Sequence, residues 1–170
     1  MVRKNILGIC CVLLMSITAC SISYKFNGAS IDYSKVSSIS IHDFPNQAPM
    51  VYPPLSQMLT EKVKDIYTRQ TRLQMVTSNG DLDLEGEIIG YELTPLAVKE
   101  NAMESQTRLT ITIRVRYTNR TAPEDDYEQS FTAYQEYDSS RMLDDVQAEL
   151  CTAIIEELVD QIYNTTVANW

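Results

Sequence analysis

The stretch "DLDLEGEIIGYE", Asp81 to Glu92, holds a dense run of groups able to do chemistry. Asp81, Asp83, Glu85, Gly86 and Glu92 nearly reproduce the calcium-loop pattern D-x-[DN]-x-[DN]-G-x5-E. That loop requires a sharp turn at its glycine between two helices. The same residues also fit a half-buried strand, because Leu82, Leu84, Gly86 and Ile88 alternate with Asp83, Glu85 and Glu87. An Asn-Gly turn precedes the stretch and "YELTPLAV" follows it, so the flanks favour the strand. The acids then face water or neighbouring arginines, and no metal site is expected.

Other reactive groups are sparse. His42 is the only histidine, so a His-based metal cluster, a Ser-His-Asp triad and a Cys-His pair are unavailable. No Gly-rich phosphate loop and no GxSxG elbow occurs. Cys151 sits inside a helical apolar pattern, as a small buried hydrophobe would. No catalytic residue, enzyme activity or cofactor is expected. The remaining candidates are cationic. In "TRLTITIRVRYT", Arg108, Arg114 and Arg116 project to one side of a strand, with the hydroxyls of Thr110 and Thr112 between them. Guanidinium forks suit phosphate oxygens. Equally, such a face can be an ordinary solvated one, with Asp83, Glu85, Glu87, Glu128 and Glu136 pairing the arginines across strands.

The chain start indicates the compartment. Arg3 and Lys4 precede "ILGICCVLLMSITA", long enough for a secretory h-region and too short for a stable span. Ile17-Thr18-Ala19-Cys20 is similar to a bacterial lipobox, so residues 1–19 are expected to be a signal peptide and Cys20 the lipidated first residue. Acyl chains on Cys20 hold a protein to a membrane without a spanning helix. No aspartate follows Cys20, and by analogy with lipoprotein sorting this favours the periplasmic face of a Gram-negative outer membrane. Without Arg3 and Lys4 the chain carries 12 basic and 23 acidic residues, a net charge of −11. Such a balance disfavours nucleic acid as a partner.

The elements that must position these groups follow from periodicity. Residues 20–34 read as a tether and residues 35–170 as one domain with one core. "KVSSISIHDF" is a first strand, with Ile39, Ile41 and Phe44 inward. Pro53 and Pro54 open an amphipathic helix reaching about Arg69, with Leu55, Met58, Leu59, Val63 and Ile66 on one face. A short strand, "RLQMV", and a turn at Ser78-Asn79-Gly80 follow. Three long strand-like segments come next. In the first, Ile89, Tyr91 and Leu93 continue the apolar set one residue out of phase, which predicts a β-bulge beside Gly90. The second begins near Arg108, and "YEQSFTAYQEY" pairs behind it across "NRTAPEDD". Ser139 or Ser140 is the expected cap of a last helix, striped by Leu143, Val146, Leu150, Ile154, Leu158 and Ile162. The fold class is α+β: a two-layer β-α-β-β-β-α domain, its sheet an antiparallel, mostly meander one, with two helices on one face.

In this order, "ISIHDFPN" with its proline-rich loop, "DLDLEGEIIGYEL", "QTRLTITIRVRYT", "EQSFTAYQEY" and the terminal helix resemble the LPS-assembly lipoprotein family, LptE. The resemblance covers essentially the whole mature chain, lipobox included. It implies a non-catalytic subunit that sits in the lumen of a large outer-membrane β-barrel, LptD, as plug and assembly factor. It further implies binding of lipopolysaccharide (LPS) on its way to the outer leaflet. Basic residues make that contact in the family, and the candidates here are Arg108, Arg114 and Arg116 on the outward side of their strand, with Lys99 at the turn before that strand as a further one. Tyr91, Tyr117, Tyr127, Tyr134 and Tyr137 are available to a barrel wall or acyl chains, or to ordinary sheet packing. The alternative is a lipoprotein that scaffolds or regulates another envelope machine through protein contacts alone.

Overall fold

The computed structural model describes residues 31–50, 52–96 and 105–167. Residues 1–19, Cys20 and Lys99 lie outside the described residues. The elements are β1 (Ser38–Ile41), α1 (Leu55–Gln70), β2 (Gln74–Val76), β3 (Leu82–Pro95), β4 (Gln106–Asn119), a 3-10 turn (Pro123–Asp125), β5 (Tyr127–Asp138) and α2 (Leu143–Thr166). They form the expected α+β arrangement of a sheet with two helices packed on it. Among the described residues, no helix is long and apolar enough to cross a membrane.

The long alternating segments pair as an antiparallel meander, β3 with β4 and β4 with β5. Leu109, Ile111, Ile113, Val115 and Tyr117 of β4 are all buried beneath the helices. The phase change in β3 is a register shift between Ile88 and Gly90, with Ile89 left as the extra residue. Beyond it Tyr91 opposes Ile111 and Leu93 opposes Leu109, so both apolar sets reach the same core. The bulge thus keeps a 14-residue strand facing one way despite its change of parity.

The two short strands depart from a meander. The sheet order is β2-β1-β3-β4-β5, with β1 parallel to both of its neighbours. Parallel neighbours need a long crossover, and α1 supplies it between β1 and β2. The chain then passes from β2 over β1 to reach β3, and Gly80 makes that crossing possible. A Cβ on Gly80 would lie 2.5 Å from the Ser40 amide nitrogen and 2.8 Å from the Ile39 carbonyl carbon. Asn79, with φ of 57°, turns the chain into the crossing. Asp81 secures the far side: one carboxylate oxygen accepts from the Ser37 and Ser38 amides at 2.8 and 3.0 Å and from their hydroxyls at 3.0 and 2.9 Å.

Both helices cover the apolar face. α1 buries Leu55, Leu59, Val63, Ile66 and Tyr67, with Pro54 at its N-cap at φ −70°. Its Thr60 hydroxyl accepts the Phe44 amide at 3.0 Å, and its Ser56 hydroxyl donates to the Phe44 carbonyl at 2.6 Å. Phe44, fully buried, is thereby held over Gly86, where a Cβ would stand 2.5 Å from its ring. α2 buries Val146, Leu150, Ile154, Leu158 and Ile162, together with Cys151, Ile155 and Val159. The expected serine cap is not used. Met142 occupies the N-cap of α2 without a side-chain bond. Ser139 and Ser140 lie upstream, where the Ser140 amide donates to Asp138 and the Ser139 hydroxyl bonds that of Thr107. A buried hydrogen bond between the Tyr67 and Thr166 hydroxyls ties the two helices together.

Two consequences can be measured. Gly80→Ala forces a Cβ into backbone that cannot move independently, and should lower stability to urea by about 3 kcal/mol; unchanged stability would refute the crossing constraint. The hydrogen bonds from Ser37, then Ser38, depress the Asp81 pKa. Its contribution is therefore present above the unfolded carboxylate value of about 4 and is lost as pH falls through the lower folded value. Asp81→Asn should lose stability at neutral pH and show a shallower loss on acidification than the parent; parallel acid curves would count against the clamp.

Candidate functional site

The face of the sheet turned away from the helices carries the polar half of every alternation. Register places Glu85, Arg116 and Glu128 in one row across β3, β4 and β5, and Glu87, Arg114 and Ser130 in the next. Thr112 and Thr132 share a hydrogen bond of 3.1 Å further along. Arg108 opposes Glu136 near the other end. At about 3.4 Å per residue, Arg108 stands roughly 20 Å from Arg114, while Arg114 and Arg116 are about 7 Å apart.

Each expected arginine is engaged by carboxylates. Arg108 reaches Glu136 at 2.6 Å and stacks its guanidinium 4.1 Å from the centre of the Tyr134 ring. Arg114 meets Glu87 at 2.9 Å. Arg116 lies between Glu128 at 3.1 Å and Glu85 at 3.5 Å, and Glu128 foremost raises its pKa. Asp83 pairs elsewhere, with His42 at 3.2 Å and with the Ser40 hydroxyl. These pairs are open to solvent: the side chains of Arg116, Glu85 and Glu128 are 58%, 47% and 47% exposed. Exposed pairs of this kind contribute only about 0.2–1 kcal/mol each. They position the guanidiniums without locking them.

Around Arg114 and Arg116 the face dips into a recess of about 360 Å³. It is lined by Glu85, Gly86, Glu87, Arg114, Arg116 and Glu128 of the long strands and by His42, Asp43 and Pro45 from the segment after β1. The part played by that segment was not expected from composition. The signal is nevertheless in the sequence, because His42 continues the outward alternation of Ser38 and Ser40. Past His42 the chain stays beside β3, its Pro45 carbonyl accepting the Ile88 amide at 2.9 Å.

The other candidates resolve into structure. The calcium-loop acids are strung out from Asp81, just before β3, to Glu92 along the extended strand, and Asp81, Asp83 and Glu85 already have hydrogen-bonding or ionic partners. Among the described residues, no group of three His, Cys, Asp or Glu side chains is arranged to hold a metal ion. Cys151 is fully buried, and burial pushes its thiol up to about 11. Tyr91 accepts from the Gln147 amide at 2.5 Å, and burial raises it to about 12. Tyr117 and Tyr127 stack at 5.4 Å, and Tyr137 packs against the core. Of the tyrosines singled out on the strands, Tyr134 alone belongs to the exposed large side chains.

Comparison with known proteins fits this architecture. No curated protein sequence matches the chain. Among solved structures, a hypothetical protein from Chlamydia trachomatis is similar at a TM-score of 0.52 and 10% identity, covering 79% of this chain and 99% of its own. A minor lipoprotein from Acinetobacter baumannii is similar at a TM-score of 0.46 and 18% identity, covering 75% of this chain and 89% of its own. The family model described as "LptE: Lipopolysaccharide-assembly" matches residues 36–166, from just before β1 to the last residue of α2. This chain belongs to the LptE family of lipopolysaccharide-assembly proteins.

Proposed function

We propose that this protein is the lipid-anchored outer-membrane subunit of an LPS translocon, facing the periplasm from within the lumen of an LptD-type β-barrel. It plugs that barrel, helps it assemble, and binds LPS during delivery to the outer leaflet. The observation that carries this reading is the family match, which spans every strand and both helices. The family is one of non-catalytic assembly lipoproteins.

The outer face supplies the LPS contact in this proposal. Arg114 and Arg116 converge on the recess, while Arg108 with Tyr134 forms a second cationic station further along β4. Lys99, between β3 and β4 in sequence, is assigned to the same ligand. Phosphate oxygens of lipid A would take the place of exposed carboxylates on forks already aimed outward. The N-terminal lipid on Cys20, after removal of residues 1–19, holds the domain at the membrane.

Tagged full-length protein purified from envelopes in mild detergent should bring down a large β-barrel. Recovery of a cell-wall synthase or secretion pore without a barrel would favour the protein-scaffold alternative. Cys20→Ala should abolish incorporation of labelled palmitate and release the protein from membranes; continued labelling would move the anchor elsewhere. Arg114→Glu with Arg116→Glu should weaken LPS binding at least about tenfold with the fold intact; unchanged binding would remove this face from the proposal.

A further inference from the structure

The recess contains two guanidiniums and three glutamates, Glu85, Glu87 and Glu128. A surface evolved only to attract anions would not carry that excess of carboxylate. We propose that these three glutamates are specificity-determining residues: they act as tethered competitors that admit phosphomonoester headgroups to Arg114 and Arg116 and refuse phosphodiester headgroups. The inference rests on the LPS-contact reading above and names the ligand chemistry that the same site selects.

The argument turns on exchange. Arg116 is held by two carboxylates and Arg114 by one, all from neighbouring strands whose register fixes them in place. A tethered group competes at an effective concentration of the order of millimolar. A phosphodiester brings a single negative charge, the same as the glutamate it must displace, so exchange gains nothing in charge and loses to the tether. A phosphomonoester carries about −1.5 to −2 charges near pH 7 and offers three acceptor oxygens. Arg114 and Arg116, one pleat apart on one side of β4, can both turn their forks to a single such group.

Release of the glutamates is unhindered. Glu85 and Glu128 are each 47% exposed and Glu87 34%, so a displaced carboxylate swings into water and is not stranded in the core. The excess carboxylate also repels a monoanion that approaches without displacing it. Of the other acids at the recess, Asp43 is tied to Lys64 at 3.0 Å and does not contact the arginines.

Vesicles provide the test. Full-length protein carrying Cys20→Ala, so that no acyl chain can insert, is the parent here and would be assayed against phosphatidylcholine vesicles doped with phosphatidic acid, a phosphomonoester, or with phosphatidylglycerol, a phosphodiester. The parent protein should bind the first and bind the second at least about tenfold more weakly. The triple variant Glu85→Gln, Glu87→Gln, Glu128→Gln should bind both, with the ratio collapsed towards one. Arg114→Gln with Arg116→Gln should bind neither. Both variants change exposed or half-exposed side chains, and thermal melts would verify folding. Equal binding of both vesicles by the parent, or an unchanged ratio in the glutamate variant, overturns the specificity role while leaving the arginine face standing. Binding that survives loss of both arginines, or a parent that binds neither vesicle, overturns the underlying contact reading itself.

Discussion

The apolar file of β4, from Leu109 to Tyr117, sets the geometry of the rest of the sheet. Five alternate side chains are buried beneath two helices, so the strand cannot slip by one residue without carrying Arg114 and Arg116 into the core. That penalty fixes the register of β3 on one side and β5 on the other. Register in turn decides which acid meets which arginine. The recess is therefore a by-product of core packing on the opposite face: its charges are exposed and individually weak, yet the backbone that aims them is among the best-anchored parts of the fold.

Much of this was visible in the sequence because local periodicity sufficed. β4 alternates without interruption, the phase change at Ile88-Ile89 announces the bulge, and the stripe from Val146 to Ile162 marks α2. The placement of β1 and β2 was not visible. Nothing in "SISI" or "QMV" records that the first lies parallel between β2 and β3, since that choice depends on a crossing at Gly80 and on Asp81 gripping Ser37 and Ser38 more than forty residues away. The missing serine cap has a related cause: Ser139 is drawn into the β4 side by Thr107, and α2 starts later, at Leu143.

For the candidate site, residue types were legible and partnerships were not. Arg108, Arg114 and Arg116 share a face because alternation demands it. That Arg116 would have two carboxylates, Arg114 one, and Arg108 a tyrosine ring depends on β3 and β5 register. A strongly acidic chain and a family that handles an anionic lipid are thereby compatible: the acids on this face restrain the cations without cancelling them.

The bulge at Ile89 makes the sheet sensitive to the parity of its own coding. One unpaired residue converts an even-numbered inward set, Leu82 to Ile88, into an odd-numbered one, Tyr91 and Leu93. Losing Ile89 itself would remove the bulge and leave plain alternation, with Ile88, Tyr91 and Leu93 all still inward. Losing one residue anywhere else in β3 would turn over the part of the strand on one side of the gap, sending its apolar residues to water and its acids to the helices. Among relatives that keep this sheet, a single-residue length difference within β3 should therefore fall at the bulge, with changes elsewhere in the strand coming in steps of two or confined to the turns at either end.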